Sequence, residues 1–366
     1  MADHVVIVIG AGPAGLATSR ELSARGIEHI VLERGASIAH TWENLYDGLV
    51  LHTGKLFSAL PGMPFPRSTP VFPTRRDFLD YLGSYANTFR VPVSTSTEVT
   101  SVQRVRDRWR VTAADGTERT GRAIVVATGI VSNPHTAEFP GGTRFSGSVM
   151  HSVAYRTPGP FAHERILVVG AGNSAGEISV ELANAGAQVT IAVRSGARVV
   201  PRELLGVPIQ YFGVALGVLP KAAQHAVNEV TARVVARVRP EVLPRGTLGR
   251  CSAVPLIGFH LVDAIRSGAI RLKPGLAEFT AAGVRFTDGS EEPFDRVILA
   301  TGYRAALGFV RDQVSVDECG FAIRHHRVVS SDQPNLYFVG HNYDTRGGLR
   351  NIAQDSRLAA RRLAEI

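Results

Sequence analysis

Two short apolar runs, residues 5–9 and 166–169, are continuous enough to read as buried strands. Each runs straight into a glycine-rich turn, and each turn opens a helix-like stretch, residues 16–25 and 177–185. Elsewhere the pattern predicts a helix over 74–88, with Thr74 as N-cap and Asp77 in its first turn. Strands are expected over 98–104, 109–113 and 119–127, with Asp115-Gly116 as a hairpin turn. A second group covers 269–272, 276–280, 283–286 and 296–300, with Asp288-Gly289 as a turn, and the chain closes with a strand over 336–340 and a helix over 352–364. Between these lie a proline-rich loop over 36–75, a linker over 158–163 and an apolar, helical insert over 204–239.

The two turns have one design. The first is Gly10-Ala11-Gly12-Pro13-Ala14-Gly15, the second Gly170-Ala171-Gly172-Asn173-Ser174-Ala175-Gly176. In a strand–turn–helix setting the first glycine makes the tight turn and the second lets a pyrophosphate approach the backbone. The third small residue, Gly15 or Ala175, lets helix and strand pack closely. The anion sits at the helix N-terminus. Two such units imply two dinucleotides exchanging electrons. Glu33, followed by Arg34, lies about 20 residues past the first turn, where an acid binds a ribose hydroxyl, which suits FAD. The second unit has no acid there but Arg194 and Ser195, which suit the 2′-phosphate of NADPH.

The expected fold class is α/β, with two Rossmann-like dinucleotide-binding domains and the NADPH domain inserted into a discontinuous FAD domain. The expected boundaries are 1–157 and 290–366 for FAD and 164–289 for NADPH. Ala127-Thr128-Gly129 and Ala300-Thr301-Gly302 each end a strand and are expected where the chain crosses between domains.

Composition changes this picture little. The net charge of +8 raises nucleic acid as a partner, but the chain has only Lys55, Lys221 and Lys273 as lysines and no basic block interleaved with aromatics. No apolar run reaches about 18 residues, so no transmembrane segment is expected, and the absence of a signal-like N-terminus points to the cytoplasm. Cys251 and Cys319 form no CxxC pair. No Cys/His cluster suggests a metal, and His325-His326 reads as a surface pair.

The stretch Phe145-Ser146-Gly147-Ser148-Val149-Met150-His151-Ser152-Val153-Ala154-Tyr155 fits FxGxxxHxxxY. With the two fingerprints and Leu299-Ala300-Thr301-Gly302-Tyr303, the chain resembles class B flavin-dependent monooxygenases over nearly its whole length. It looks most like the YUCCA-type branch, through residues 41–47 (Thr-Trp-Glu-Asn-Leu-Tyr-Asp), 51–55, 60–66 and 198–203. Tyr155 stands where the Baeyer–Villiger branch carries Trp, and His52 where many N- and S-oxygenating members carry Asn.

The resemblance implies an NADPH- and O₂-dependent flavin monooxygenase acting on a small organic substrate, with an NADPH-dependent flavin reductase or oxidase as the alternative. Oxidative decarboxylation of a 2-oxo acid and N- or S-oxygenation both remain open. His52 and Thr53 are the expected catalytic residues. Trp42 lines the flavin or packs as ordinary core. His151 reads as a hinge or linker residue rather than a proton-transfer group. The cofactor-binding set adds Gly10, Gly12, Pro13, Ala14, Gly15, Glu33, Arg34, Thr53, Ala127, Thr128, Gly129, Thr301, Gly302, Tyr303 and Gly340, and for the nicotinamide nucleotide Gly170, Gly172, Asn173, Ser174, Ala175, Arg194 and Ser195. The 204–219 part of the insert, with Tyr211 and Phe212, walls the substrate channel or serves a membrane-surface or homodimer contact.

Overall fold

The computed structural model describes residues 2–216, 242–244, 255–344 and 347–366. The chain forms two compact units. The first comprises 1–45, 53–134 and 303–366, the second 46–52 and 135–302.

The first unit is built on strand Ala2–Ile9, buried over Val6–Ile9. It pairs in parallel with His29–Leu32 on one side and Glu118–Val126 on the other. Leu336–Phe338 and Val93–Ser94 extend the parallel sheet outward. Val99–Val105 and Arg108–Ala113 add an antiparallel meander onto Glu118–Val126. Helix Pro13–Ser23 begins three residues earlier than the periodicity indicates, because proline at N1 loses no intrahelical hydrogen bond. Helix Arg75–Thr88 carries a complete capping box between Thr74 and Asp77.

The second unit repeats the plan. Strand Arg165–Val169 lies between Gln188–Ala192 and Arg296–Leu299, flanked by Ile270–Lys273 and Ser148–His151, all parallel. A three-stranded antiparallel sheet, Leu276–Phe279, Gly283–Phe286 and Glu291–Pro293, packs its apolar face with Phe145, Val169 and Leu299.

Two expectations change. The insert does not open as a helix: Glu203–Leu204 pairs with Val207–Pro208 as a hairpin, and helix Ile209–Leu216 follows. The reason is local. Leu205 and Gly206 both take positive φ, 52° and 76°, as a two-residue hairpin turn requires. The rest of the insert, to 239, lies outside the described residues. The 158–163 stretch is also more than a linker, since Phe161 is buried beneath the Arg296 guanidinium and beside Tyr155. His325 and His326 are exposed, as a surface pair should be. Among the described residues no helix is long and apolar enough to cross a membrane.

Burial in the first unit has a cost at low pH. His341 is 2% exposed, and neither ring nitrogen has a hydrogen-bond partner among the described residues. Burial, with repulsion from Arg324, pushes its pKa down to about 3 from 6.5. Between those values the unfolded chain binds a proton that the folded chain refuses. Stability is therefore intact above pH 6.5 and falls as the pH drops toward 3, by about 1.4 kcal/mol per pH unit for this one group. Denaturant midpoints measured from pH 7 to 4 should fall, and less steeply in His341→Phe, whose ring can join Phe321 and Phe338. Parallel slopes in the two proteins would contradict this.

Candidate nucleotide sites

The strand registers bring the first site together. Ile9 pairs with Leu32 and with Val126, so Gly10, Glu33 and Ala127 emerge side by side at the carboxyl edge of the sheet, where open α/β sheets bind ligands. Gly10 has φ 104°, and a Cβ there would lie 2.8 Å from the Ala127 carbonyl oxygen. A Cβ on Gly15 would lie 1.8 Å from the Gly10 carbonyl oxygen. A Cβ on Gly12 would meet no protein atom within 4 Å, so that position opens onto free space.

That space belongs to a cavity of about 870 Å³. Gly10, Gly12, Pro13, Ala14, Glu33, Arg34, Trp42, Ala127, Thr128, Gly129 and Gly340 all line it. Gly15 does not, and acts through packing. Residues 97–100, 130–133 and 304–309 also contribute, with Tyr343. No motif marks the first two stretches, the start of strand Val99–Val105 and the 130–133 loop, because the sheet rather than a local signal brings them in.

The chemistry of the lining fits a dinucleotide. Helix Pro13–Ser23 has no side-chain cap and no acid in its first turn, unlike the fully capped Arg75–Thr88. Its first N–H groups are therefore available to an anion. The Glu33 carboxylate accepts from the Ala11 N–H at 2.8 Å and from the Gly35 N–H at 2.9 Å. Each oxygen keeps a lone pair for a ligand hydroxyl. Trp42, half-buried, lines the cavity, and its ring meets Phe78 edge-on with centroids 4.6 Å apart. Thr128 lines the cavity too, with its hydroxyl donating to the Ala306 carbonyl at 3.0 Å.

The second unit copies this geometry. Val169 pairs with Ala192 and with Leu299. Gly170 has φ 131°, and its Cβ would stand 2.4 Å from the Ala300 carbonyl oxygen. Gly172, like Gly12, faces open space. Helix Asn173–Asn184 has neither side-chain cap nor first-turn acid, and Ala175 is fully buried. Ser174 sits in that first turn, partly exposed. Arg194 and Ser195 are exposed just beyond strand Gln188–Ala192. Asn173 differs from expectation in one respect: its side chain donates to the Pro255 carbonyl at 3.1 Å and accepts from the Ile257 N–H at 2.8 Å, holding that segment against the helix.

Other expected residues are placed by local contacts. The Thr301 hydroxyl donates to the His135 carbonyl, and Tyr303 bridges to Pro134. Thr53 is in the first unit, beside Gly347. His52 belongs to the second unit, with Nδ1 3.5 Å from Glu177 Oε1.

The 145–155 motif is a set of internal fastenings. A Cβ on Gly147 would strike the Phe145 ring and the Asp295 carbonyl. His151 is held at both ring nitrogens: Nε2 lies 3.1 Å from the Gly302 carbonyl oxygen and Nδ1 accepts from the Val153 N–H at 3.1 Å. Tyr155 is fully buried and donates to Glu181 Oε2 at 3.0 Å. Burial and the adjacent carboxylate push the Tyr155 pKa up, so the hydroxyl stays a donor.

Comparison with known proteins agrees with this architecture. The flavin-binding monooxygenase-like family model matches residues 3–330. Indole-3-pyruvate monooxygenase YUCCA1 of Oryza sativa subsp. japonica is 37% identical, over 82% of this chain and 76% of its own. Indole-3-pyruvate monooxygenase YUCCA6 of Arabidopsis thaliana is 33% identical, over 98% and 89%. Among solved structures, the flavin-containing monooxygenase of Stenotrophomonas maltophilia superposes with a TM-score of 0.80 at 25% identity, covering 100% of this chain and 99% of that one. The chain therefore belongs to the flavin-binding monooxygenase-like family, in its YUCCA-like branch, and is an FAD- and NADPH-dependent monooxygenase.

Proposed function

We propose that this monooxygenase oxidatively decarboxylates an aryl 2-oxo acid of the indole-3-pyruvate class. The observation that carries this reading is the identity to relatives named for indole-3-pyruvate, 32–38% over most of the chain. When bound, FAD takes electrons from NADPH and activates O₂; the protein supplies binding, orientation and exclusion of water.

In this reading FAD lies in the first-unit cavity. Its pyrophosphate takes the uncapped N–H groups at the start of helix Pro13–Ser23, Glu33 accepts from the adenosine ribose, and Trp42 walls the site from water. NADPH takes the uncapped start of helix Asn173–Asn184, with Arg194 and Ser195 on its 2′-phosphate. His52 and Thr53 remain the proposed catalytic pair.

The glycine geometry separates binding from folding. Gly12→Val should fold and melt like FAD-stripped wild type but purify with little FAD, because its side chain enters ligand space and meets no described protein atom. Gly15→Val should fail to fold, because its Cβ overlaps the Gly10 carbonyl. Full flavin content in Gly12→Val would remove the pyrophosphate from that position.

For the second nucleotide, Arg194→Ala removes one charge-assisted hydrogen bond, about 1.5–3 kcal/mol, or roughly ten- to hundredfold in the KM for NADPH. The KM for NADH should hardly move. An unchanged ratio of the two would take the 2′-phosphate away from Arg194.

For the reaction itself, incubation with indole-3-pyruvate, NADPH and ¹⁸O₂ should give the one-carbon-shorter acid, with one labelled oxygen and CO₂. NADPH oxidation yielding only H₂O₂ with this acid, while an amine or sulfide is oxygenated, would overturn the substrate class and leave the family intact.

A further inference from the structure

Glu177 follows directly on the second fingerprint, within the first turns of helix Asn173–Asn184. Segment 46–52, part of the same unit, lies against it. The Tyr46 hydroxyl donates to Glu177 Oε2 at 2.5 Å. The other carboxyl oxygen, Oε1, stands 3.5 Å from His52 Nδ1. That nitrogen is shut off from solvent and has no hydrogen-bond partner. The segment is held in place by its backbone: Arg202 donates to the Leu51 carbonyl at 3.1 Å, and Gln210 to the His52 carbonyl at 3.0 Å.

A bare carboxylate oxygen facing a bare imidazole nitrogen would set lone pair against lone pair, so a proton belongs between them. It can rest on Nδ1, beside a carboxylate, or on Oε1, beside an acceptor nitrogen. The surroundings choose. Arg202 with its neighbour Glu203, His260 with Asp263, and Glu181 one turn along the helix are the charged or titratable groups around the pair. Burial raises the Glu177 pKa despite the Tyr46 hydrogen bond and the charges of His260 and Arg202. Burial and Arg202 push His52 down to about 4. Both changes favour a neutral acid beside a neutral ring.

We propose that Glu177 is a positioning residue: it carries a proton on Oε1, donates it as a hydrogen bond to His52 Nδ1, and so fixes His52 as the tautomer with its ring proton on Nε2. Tyr46 occupies the second carboxyl oxygen and keeps the acid from rotating. His52 then offers one constant N–H donor, from Nε2, to an oxygen acceptor brought to it during turnover. A carboxylate at 177 would instead recruit the ring proton to Nδ1 and turn Nε2 into an acceptor. Histidine tautomers are commonly set in this way by the partner of the opposite nitrogen.

Two measurements on the FAD-loaded protein test this, and neither involves the oxidised substrate. Infrared spectra with ¹³C-glutamate labelling should show a protonated carboxyl at neutral pH that is lost in Glu177→Gln and kept in Glu181→Gln. Histidine ¹⁵N spectra, with the signal assigned through His52→Asn, should show His52 protonated at Nε2 and bare at Nδ1. Glu177→Gln should keep that tautomer, because its amide can donate to Nδ1, whereas Glu177→Leu should shift it toward a mixture. A band that survives Glu177→Gln, or a wild-type ring protonated at Nδ1, would overturn the assignment. Should Glu177→Leu fail to fold, the wild-type and Gln spectra still decide it.

Discussion

Each nucleotide site depends on a backbone carbonyl lying directly under the first glycine of its fingerprint. Ala127 supplies it beneath Gly10, and Ala300 beneath Gly170. Any side chain at those glycines would lift the turn off the neighbouring strand and carry the helix N-terminus with it. The parallel registers that align Ile9 with Val126, and Val169 with Leu299, fix those carbonyls in place. Gly12 and Gly172 then need no room from the protein, only from the ligand. The two Ala-Thr-Gly turns thus supply the carbonyls beneath the fingerprint glycines and precede the points where the chain passes from one unit to the other, at 134–135 and 302–303.

Both fingerprint helices leave their first turns without a protein cap, while Arg75–Thr88 has a full capping box. An N-terminus uncapped in this way costs a fraction of the typical ~1 kcal/mol that a side-chain cap provides. That loss is restored when a phosphate arrives. It places stability and cofactor binding on the same N–H groups, so flavin content and thermal stability should track one another in this protein.

In the second unit, two partly buried carboxyls project from helix Asn173–Asn184. Glu177 meets Tyr46, and Glu181 meets Tyr155, one helical turn apart. The tyrosines come from segments distant in sequence, residue 46 and the end of the 145–155 motif. Their hydroxyls satisfy carboxyl oxygens that burial would otherwise penalise. Tyr155 fills its site as a donor to Glu181, a contact that the Trp of the Baeyer–Villiger branch could make only through its ring N–H.

By itself the sequence determined the two strand–turn–helix units and their order. Those features are local: glycine positions, a strand before, a helix after, and Glu33 or Arg194 at the end of the next strand. The capped helix after Thr74 and the Asp-Gly turns were legible for the same reason. Only the tertiary structure decided the rest. The 204–208 hairpin depends on two successive left-handed residues, which apolar content alone reads as helix. The 130–133 loop and the start of strand Val99–Val105 become walls of one cavity only when the sheet brings them together. His151 Nε2 finds its partner only because Gly302, 151 residues away, returns beside it. Pairings such as Tyr46 with Glu177, 131 residues apart, have no signature in a linear chain, because a hydroxyl and a carboxyl become partners only when folding removes the water between them.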